Sequence, residues 1–176
     1  MPKKPAIFID RDNTLTRDHG YTWDIADFGW INGAVEALQL FGKAGLDIFI
    51  VTNQGGIGRG FFKLADMHAF HDHLQSELVK TRVTITDIAF CPHHPLAVIE
   101  SLKTPCSCRK PEPGMILDLA EKWNIDLPRS VMIGDNETDV EAGHNAGCHA
   151  YRFEGDNLAP LARHVLQQHF GDNDAE

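Results

Sequence analysis

An α/β fold with a doubly wound parallel sheet is predicted by three features of the sequence. Five short apolar runs alternate with segments of helical periodicity, the order that produces parallel strands covered on both faces. The first run delivers two carboxylates, one residue apart, to its own C-terminal end, where open α/β sheets carry their chemistry. With 43% hydrophobic residues in a chain of 176, there is enough apolar material for a substantial core.

The elements follow in order. A strand over Ala6–Ile9 runs into Asp10-Arg11-Asp12-Asn13-Thr14, and the stretch Leu15–Ile31 after it exceeds ordinary connector length. Helical spacing at Gly33–Ala44 stops before Gly45, a C-terminal cap residue, and a strand over Leu46–Thr52 follows. A helix over Leu64–Lys80 leads to a strand over Ile85–Cys91, and a second long segment, Pro92–Glu112, separates it from a helix over Pro113–Asn124. The last elements are a strand at Ser130–Ile133, a helix at Thr138–Ala146 closed by Gly147, a strand at Cys148–Phe153 and a helix at Asn157–His169. Residues 1–176 are expected to form one domain, with a loop at about 91–109 organised by metal and a frayed acidic tail at 171–176.

Charge narrows the partners. Sixteen basic against twenty-five acidic residues leave a net charge of −9, which argues against a nucleic-acid backbone or an anionic membrane. The N-terminal residues lack an apolar targeting segment and no apolar run is long enough to span a bilayer, so a cytoplasmic monomer acting on a small molecule is the expectation. Four cysteines, three of them beside histidines, fit metal ligation in a reducing compartment better than disulfides; Cys148 stands apart as a core thiol.

Phosphate monoesters resist hydrolysis unless a nucleophile, a proton donor and cations meet at the phosphorus. Residues i and i+2 of an extended segment share a face, so Asp10 is expected as nucleophile and Asp12 as general acid and later base. Thr52 offers a hydroxyl and a backbone N–H, and Lys110 a positive charge. Asp135, ending the fourth strand, joins Asp10 and Asp12 as the carboxylates expected around Mg²⁺, a hard cation that offsets repulsion between carboxylate and phosphate. Asp10 and Asp12 alone also fit a turn or helix-cap pair; their conjunction with Thr52, Lys110 and Asp135, which end or follow other predicted strands, favours chemistry.

Cys91-Pro92-His93-His94 and Cys106-Ser107-Cys108 supply thiolates and imidazole for a closed tetrahedral zinc site. Because Cys91-x-His93 mirrors Cys106-x-Cys108, His93 is the expected fourth ligand and His94 the spare. Zinc would fix Arg109 and Lys110 near the reacting phosphate.

Other signals carry less. Gly55–Gly60 lacks the G-x-G-x-x-G spacing of a dinucleotide site and reads as a loop, with Arg59 near the site mouth. His68, His71 and Asp72 share a helical face and read as a solvated or partly packed one. Asp139 suits support of the metal site, or a first-turn dipole complement. Trp23 and Trp30 read as packing of the long first loop on the sheet.

Asp10-x-Asp12-x-Thr14, Thr52-Asn53-Gln54, Lys110-Pro111 and Gly134-Asp135-x-x-x-Asp139 resemble the four motifs of the haloacid dehalogenase (HAD) phosphatase superfamily, in that family's order. The resemblance implies a HAD-like Rossmannoid sheet with a minimal cap, Mg²⁺ and an aspartyl-phosphate intermediate. Where the family usually has Gly, this chain has Asn13, a residue that tolerates left-handed backbone. The CPHHP and CxCRKP segments resemble the zinc-containing branch of heptose 1,7-bisphosphate phosphatases and the histidinol-phosphatase domain. Likeness to the heptose enzymes implies substrate contacts at Asp18, His19, Gly20, Tyr21, Asn53, Gln54, Gly55, Arg109 and Asn136, with a phosphorylated sugar as the small-molecule partner. Arg109 would take the distal phosphate, which histidinol phosphate lacks. Histidinol phosphate, another small phosphate ester, and a non-catalytic phosphate-binding or zinc-scaffold module are the alternatives.

Overall fold

The computed structural model describes residues 2–171; the expected fraying of the acidic tail falls on 172–176, outside the described residues. Among the described residues five strands form one sheet: β1 (Ala6–Ile9), β2 (Asp47–Asn53), β3 (Asp87–Cys91), β4 (Val131–Gly134) and β5 (His149–Arg152). All pairings are parallel, in the order β3-β2-β1-β4-β5. Five α-helices alternate with them: α1 (Ala34–Lys43), α2 (Leu64–Val79), α3 (Gly114–Trp123), α4 (Glu137–Asn145) and α5 (Ala159–His169).

Side-chain alternation sorts the core into two layers. Ile7, Ile9, Ile48, Ile50, Val131 and Ile133 point to one face, where they meet Leu38 and Phe41 of α1, Leu74 and Leu78 of α2, and Val165 of α5. Ala6, Phe8, Phe49, Val51 and Met132 point to the other, against Met115, Ile116 and Leu119 of α3 and Ala142 of α4. Both layers exclude water, so β1, residues 48–51 of β2 and residues 131–133 of β4 are apolar without a break, as a sheet covered on two sides requires.

The chain moves outward from β1 through β2 to β3, then returns to place β4 on the other side of β1. That reversal opens a crevice at the strand C-termini, the ligand position of doubly wound sheets. Three boundaries matter there. The Asp10 N–H bonds Ile133 O at 2.9 Å, so the chain is still held to β4 where β1 ends. Asn13 adopts φ 58°, the left-handed turn expected of it, and its Oδ1 accepts from the Asp18 N–H at 3.1 Å. Asn136 precedes α4, and its N–H donates to Asp139 Oδ2 at 3.0 Å, which starts the helix one residue earlier than predicted. The long first loop is packed down as expected at Trp30, edge-on to Phe28 beside the first core layer, whereas Trp23 stacks on Phe62 and stays exposed.

Candidate active site

At the C-terminal ends of β1, β2 and β4 lies a cavity of about 240 Å³. Its lining includes Asp10, Asp12, Asn13, Asp18, Gly20, Tyr21, Asn53, Gln54, Lys110, Asn136, Thr138 and Asp139. The turn that follows β1 supplies the two aspartates, and β2 with its following turn supplies Asn53 and Gln54. Lys110 comes from the segment before α3. It is pinned to β2 because its N–H donates to Asn53 Oδ1 at 3.0 Å while Asn53 Nδ2 donates to the Lys110 carbonyl at 3.2 Å.

Lys110 is the electrostatic centre. Its ammonium lies 2.7 Å from Asp10 Oδ1 and 2.6 Å from Asp139 Oδ1, and it also donates to the Val51 carbonyl at 2.8 Å. Burial alone would discharge it, but Asp10 and Asp139 outweigh that and hold it cationic. Asp10 titrates well above the usual carboxylate range: burial is the main cause, Lys110 pulls it back, and Asp139 and Asp12 push it further up. Asp135 is raised by burial and by Asp139. Oxygens of Asp10, Asp135 and Asp139 all lie within 4.8 Å of one another. Three carboxylates facing one ammonium leave uncompensated negative charge, and an all-oxygen donor set of this kind suits Mg²⁺. Gly134 makes the convergence possible, because a Cβ there would come within 2.3 Å of Asp139 Cγ.

Of the expected magnesium set, Asp10 and Asp135 lie in this cluster. The Asp12 carboxylate lies outside the cluster, where Arg11 Nε donates to its Oδ1 at 2.8 Å and Gln54 Nε2 to its Oδ2 at 2.9 Å; Asp139 lies within it, held by Lys110 at Oδ1 and by the Asn136 N–H at Oδ2. Burial raises Asp12 while Arg11 lowers it. The Thr52 hydroxyl is fully buried and accepts from Gln54 Nε2 at 2.8 Å, so the side chain braces Gln54 rather than lining the cavity.

Of the remaining expected contacts, Asp18, Gly20, Tyr21, Asn53, Gln54 and Asn136 line the cavity, whereas His19, Gly55 and Arg109 do not. Arg109 Nη1 donates to the His93 carbonyl at 3.0 Å, and Arg109 lines an adjoining cleft with His93, His94, Lys103 and Lys110. Gly55 lies beneath it, where a Cβ would come 2.8 Å from His94 Cδ2 and 3.1 Å from Arg109 Nη1.

The second cluster assembles as expected. Cys91 Sγ lies 3.6 Å from Cys106 Sγ, and His93 Nδ1 lies 3.5 Å from Cys91 and 3.4 Å from Cys108. Zinc–ligand bonds of about 2.3 Å to sulfur and 2.0 Å to nitrogen give tetrahedral edges of roughly 3.5–3.8 Å, so most of this geometry fits zinc. Cys91 and Cys108 approach more closely, at 2.7 Å, and all four cysteines are free thiols. His94 Nδ1 instead accepts from the Leu96 N–H at 2.9 Å, a turn contact.

Sequence reasoning passed over Arg11 and placed His71 on a solvated or partly packed face, whereas His71 is 4% exposed. Arg11 is 1% exposed, and a cation between two aspartates at the end of an apolar strand was the available signal.

Residues 107–154 match the HAD-hydrolase-like family model. Fold and site thus define a HAD-type hydrolase of phosphoric monoesters. The chain is 39% identical, over 94% of its length and 92% of the relative's, to a D-glycero-beta-D-manno-heptose-1,7-bisphosphate 7-phosphatase of Rhodopseudomonas palustris. It is 37% identical to the protein of that name from Escherichia coli K12, over 92% of this chain and 85% of that one. The crystal structure of D,D-heptose 1,7-bisphosphate phosphatase from B. bronchiseptica, complexed with magnesium and phosphate, superposes with a TM-score of 0.81 at 27% identity, covering 93% of this chain and 99% of that one. The chain belongs to the heptose-1,7-bisphosphate 7-phosphatase family of HAD hydrolases. Among the described residues no helix is long and apolar enough to cross a membrane.

Proposed function

We infer that the chain removes the 7-phosphate from D-glycero-D-manno-heptose 1,7-bisphosphate in the synthesis of surface-polysaccharide precursors. The reading is carried by one observation: Asp10 and Asp12 face a single polar cavity, with the Lys110 ammonium held between Asp10 and Asp139. The names of the relatives supply the substrate. Asp10 attacks phosphorus while Asp12 gives its proton to the departing sugar oxygen. Asp12 then takes a proton from water, which attacks the aspartyl-phosphate and restores Asp10. Lys110 keeps Asp10 oriented and offsets charge on the phosphoryl oxygens. Asp10 and Asp135 would hold Mg²⁺, with Asp12 the third expected member and Asp139 braced beside them by Lys110; the ion would supply a counter-charge for the phosphoryl group.

Cys91, His93, Cys106 and Cys108 would hold a structural zinc, all ligand positions being filled by protein. That clamp presents Arg109 to the distal phosphate from the adjoining cleft. Asp18, His19, Gly20, Tyr21, Asn53, Gln54, Gly55 and Asn136 form the sugar side of the site in this reading, Thr52 bracing them from below. The enzyme works as a cytoplasmic monomer.

Phosphate release from a panel of esters with Mg²⁺, beside an Asp10→Asn variant, tests this. The heptose bisphosphate should give the highest kcat/KM and the variant no turnover. A preference for histidinol phosphate overturns the substrate, and absence of release from every ester overturns catalysis in favour of a phosphate-binding module.

A further inference from the structure

A buried cation sits behind Asp12 with no part in phosphate contact. Arg11 leaves β1 on the side of α2 and is almost wholly excluded from water, so each of its N–H groups needs an acceptor. Nε and Nη2 both reach Asp12 Oδ1 at 2.8 Å, Nη2 also donates to the Thr22 carbonyl at 3.1 Å, and Nη1 lies 3.1 Å from His71 Nε2. The guanidinium plane rests over the Phe70 ring, 4.6 Å from its centroid. A guanidinium only donates, so His71 must present a lone pair at Nε2 and carry its proton on Nδ1. Its imidazole is 4% exposed, and burial together with Arg11 keeps it uncharged at neutral pH. Two consecutive residues of α2, Phe70 and His71, therefore fix the guanidinium plane, and that plane fixes one oxygen of Asp12. The other oxygen is held by Gln54.

We propose that Arg11 and His71 are positioning residues that lock the Asp12 carboxylate in the rotamer needed for proton transfer to the leaving oxygen, so that α2 orients the general acid from outside the cavity. This rests on Asp12 being the proton donor. Misorientation of a general acid matters most when the leaving oxygen is basic, as in a sugar alcohol, and little when it is a stable phenolate.

The test compares kcat/KM for a sugar phosphate and for 4-nitrophenyl phosphate, with melting temperature recorded for each protein. His71→Leu removes the acceptor, and His71→Gln restores one. We expect His71→Leu to lower kcat/KM roughly tenfold or more on the sugar phosphate but less than about threefold on the aryl ester, with His71→Gln recovering most of the loss. Arg11→Lys should show the same split more strongly. Equal losses on both esters, or none on either, would overturn the proposal, and the His71 pair alone decides if Arg11→Lys does not fold. Asp12→Asn is the control: if its own loss does not depend on the leaving group, the proton-donor assignment fails rather than the relay.

Discussion

Lys110 is where charge, fold and chemistry meet. Its side chain is 3% exposed and its partners Asp10 and Asp139 are 8% and 2% exposed, so the ion pairs are not screened by water. Removing one member of such a buried set costs about 3–5 kcal/mol, because the remaining charges stay buried without compensation. Lys110→Met is thus expected to lower the urea midpoint in magnesium-free buffer, with added Mg²⁺ restoring part of it, and to cut kcat by about 10²–10³. An unchanged midpoint without magnesium would show that the carboxylates do not depend on this ammonium. Asp10, Asp12 and Asp135 were legible as chemistry because each falls at or just past a strand end in the sequence, and Lys110 because it lies in the long segment that follows the third strand. Asp139 was weighed as support for the metal site or as a first-turn complement, and its contacts with Lys110 and the Asn136 N–H serve both.

At the scale of elements, α2 and the loop after β3 each control a part of the site. In α2, His71 titrates far below its ordinary value of 6.5, at about 3, chiefly through burial, then through Arg11 and His68. Between those two values the unfolded chain binds a proton that the folded chain refuses, so this group adds stability above pH 6.5 that is lost as pH falls toward 3. The slope reaches about 1.4 kcal/mol per pH unit. Urea titrations at several pH values should show His71→Gln losing less stability than the native chain over that window; parallel curves would refute it. If the loop holds the zinc proposed for it, chelation or Cys106→Ser should lower the melting temperature and raise KM before it alters kcat, since such a clamp would position Arg109 rather than the attacking oxygen. The periodicity of α2 was readable, but which of its histidines entered the core was not, because a helix of low amphipathic contrast lets neighbouring elements choose its buried face.

The whole molecule depends on helices lying close to both faces of the sheet. Gly143 of α4 is the tightest point of that approach outside the site: a Cβ there would come 2.6 Å from Met132 Cβ and 2.9 Å from Ala150 Cβ. Gly143→Ala should cost about 1–3 kcal/mol in urea unfolding while leaving KM little changed, as α4 is pushed off β4 and β5. By itself the sequence determined the strand count, the parallel sheet and the residues at the strand ends, because two-sided burial leaves uninterrupted apolar runs and polar chemistry can begin only where those runs stop. Only the tertiary structure decided which carboxylates share a cation, that Arg109 opens on the adjoining cleft, and that a buried arginine and histidine stand behind Asp12. Such groupings depend on through-space distances between residues 60 or 100 positions apart, and a linear pattern carries no such distances.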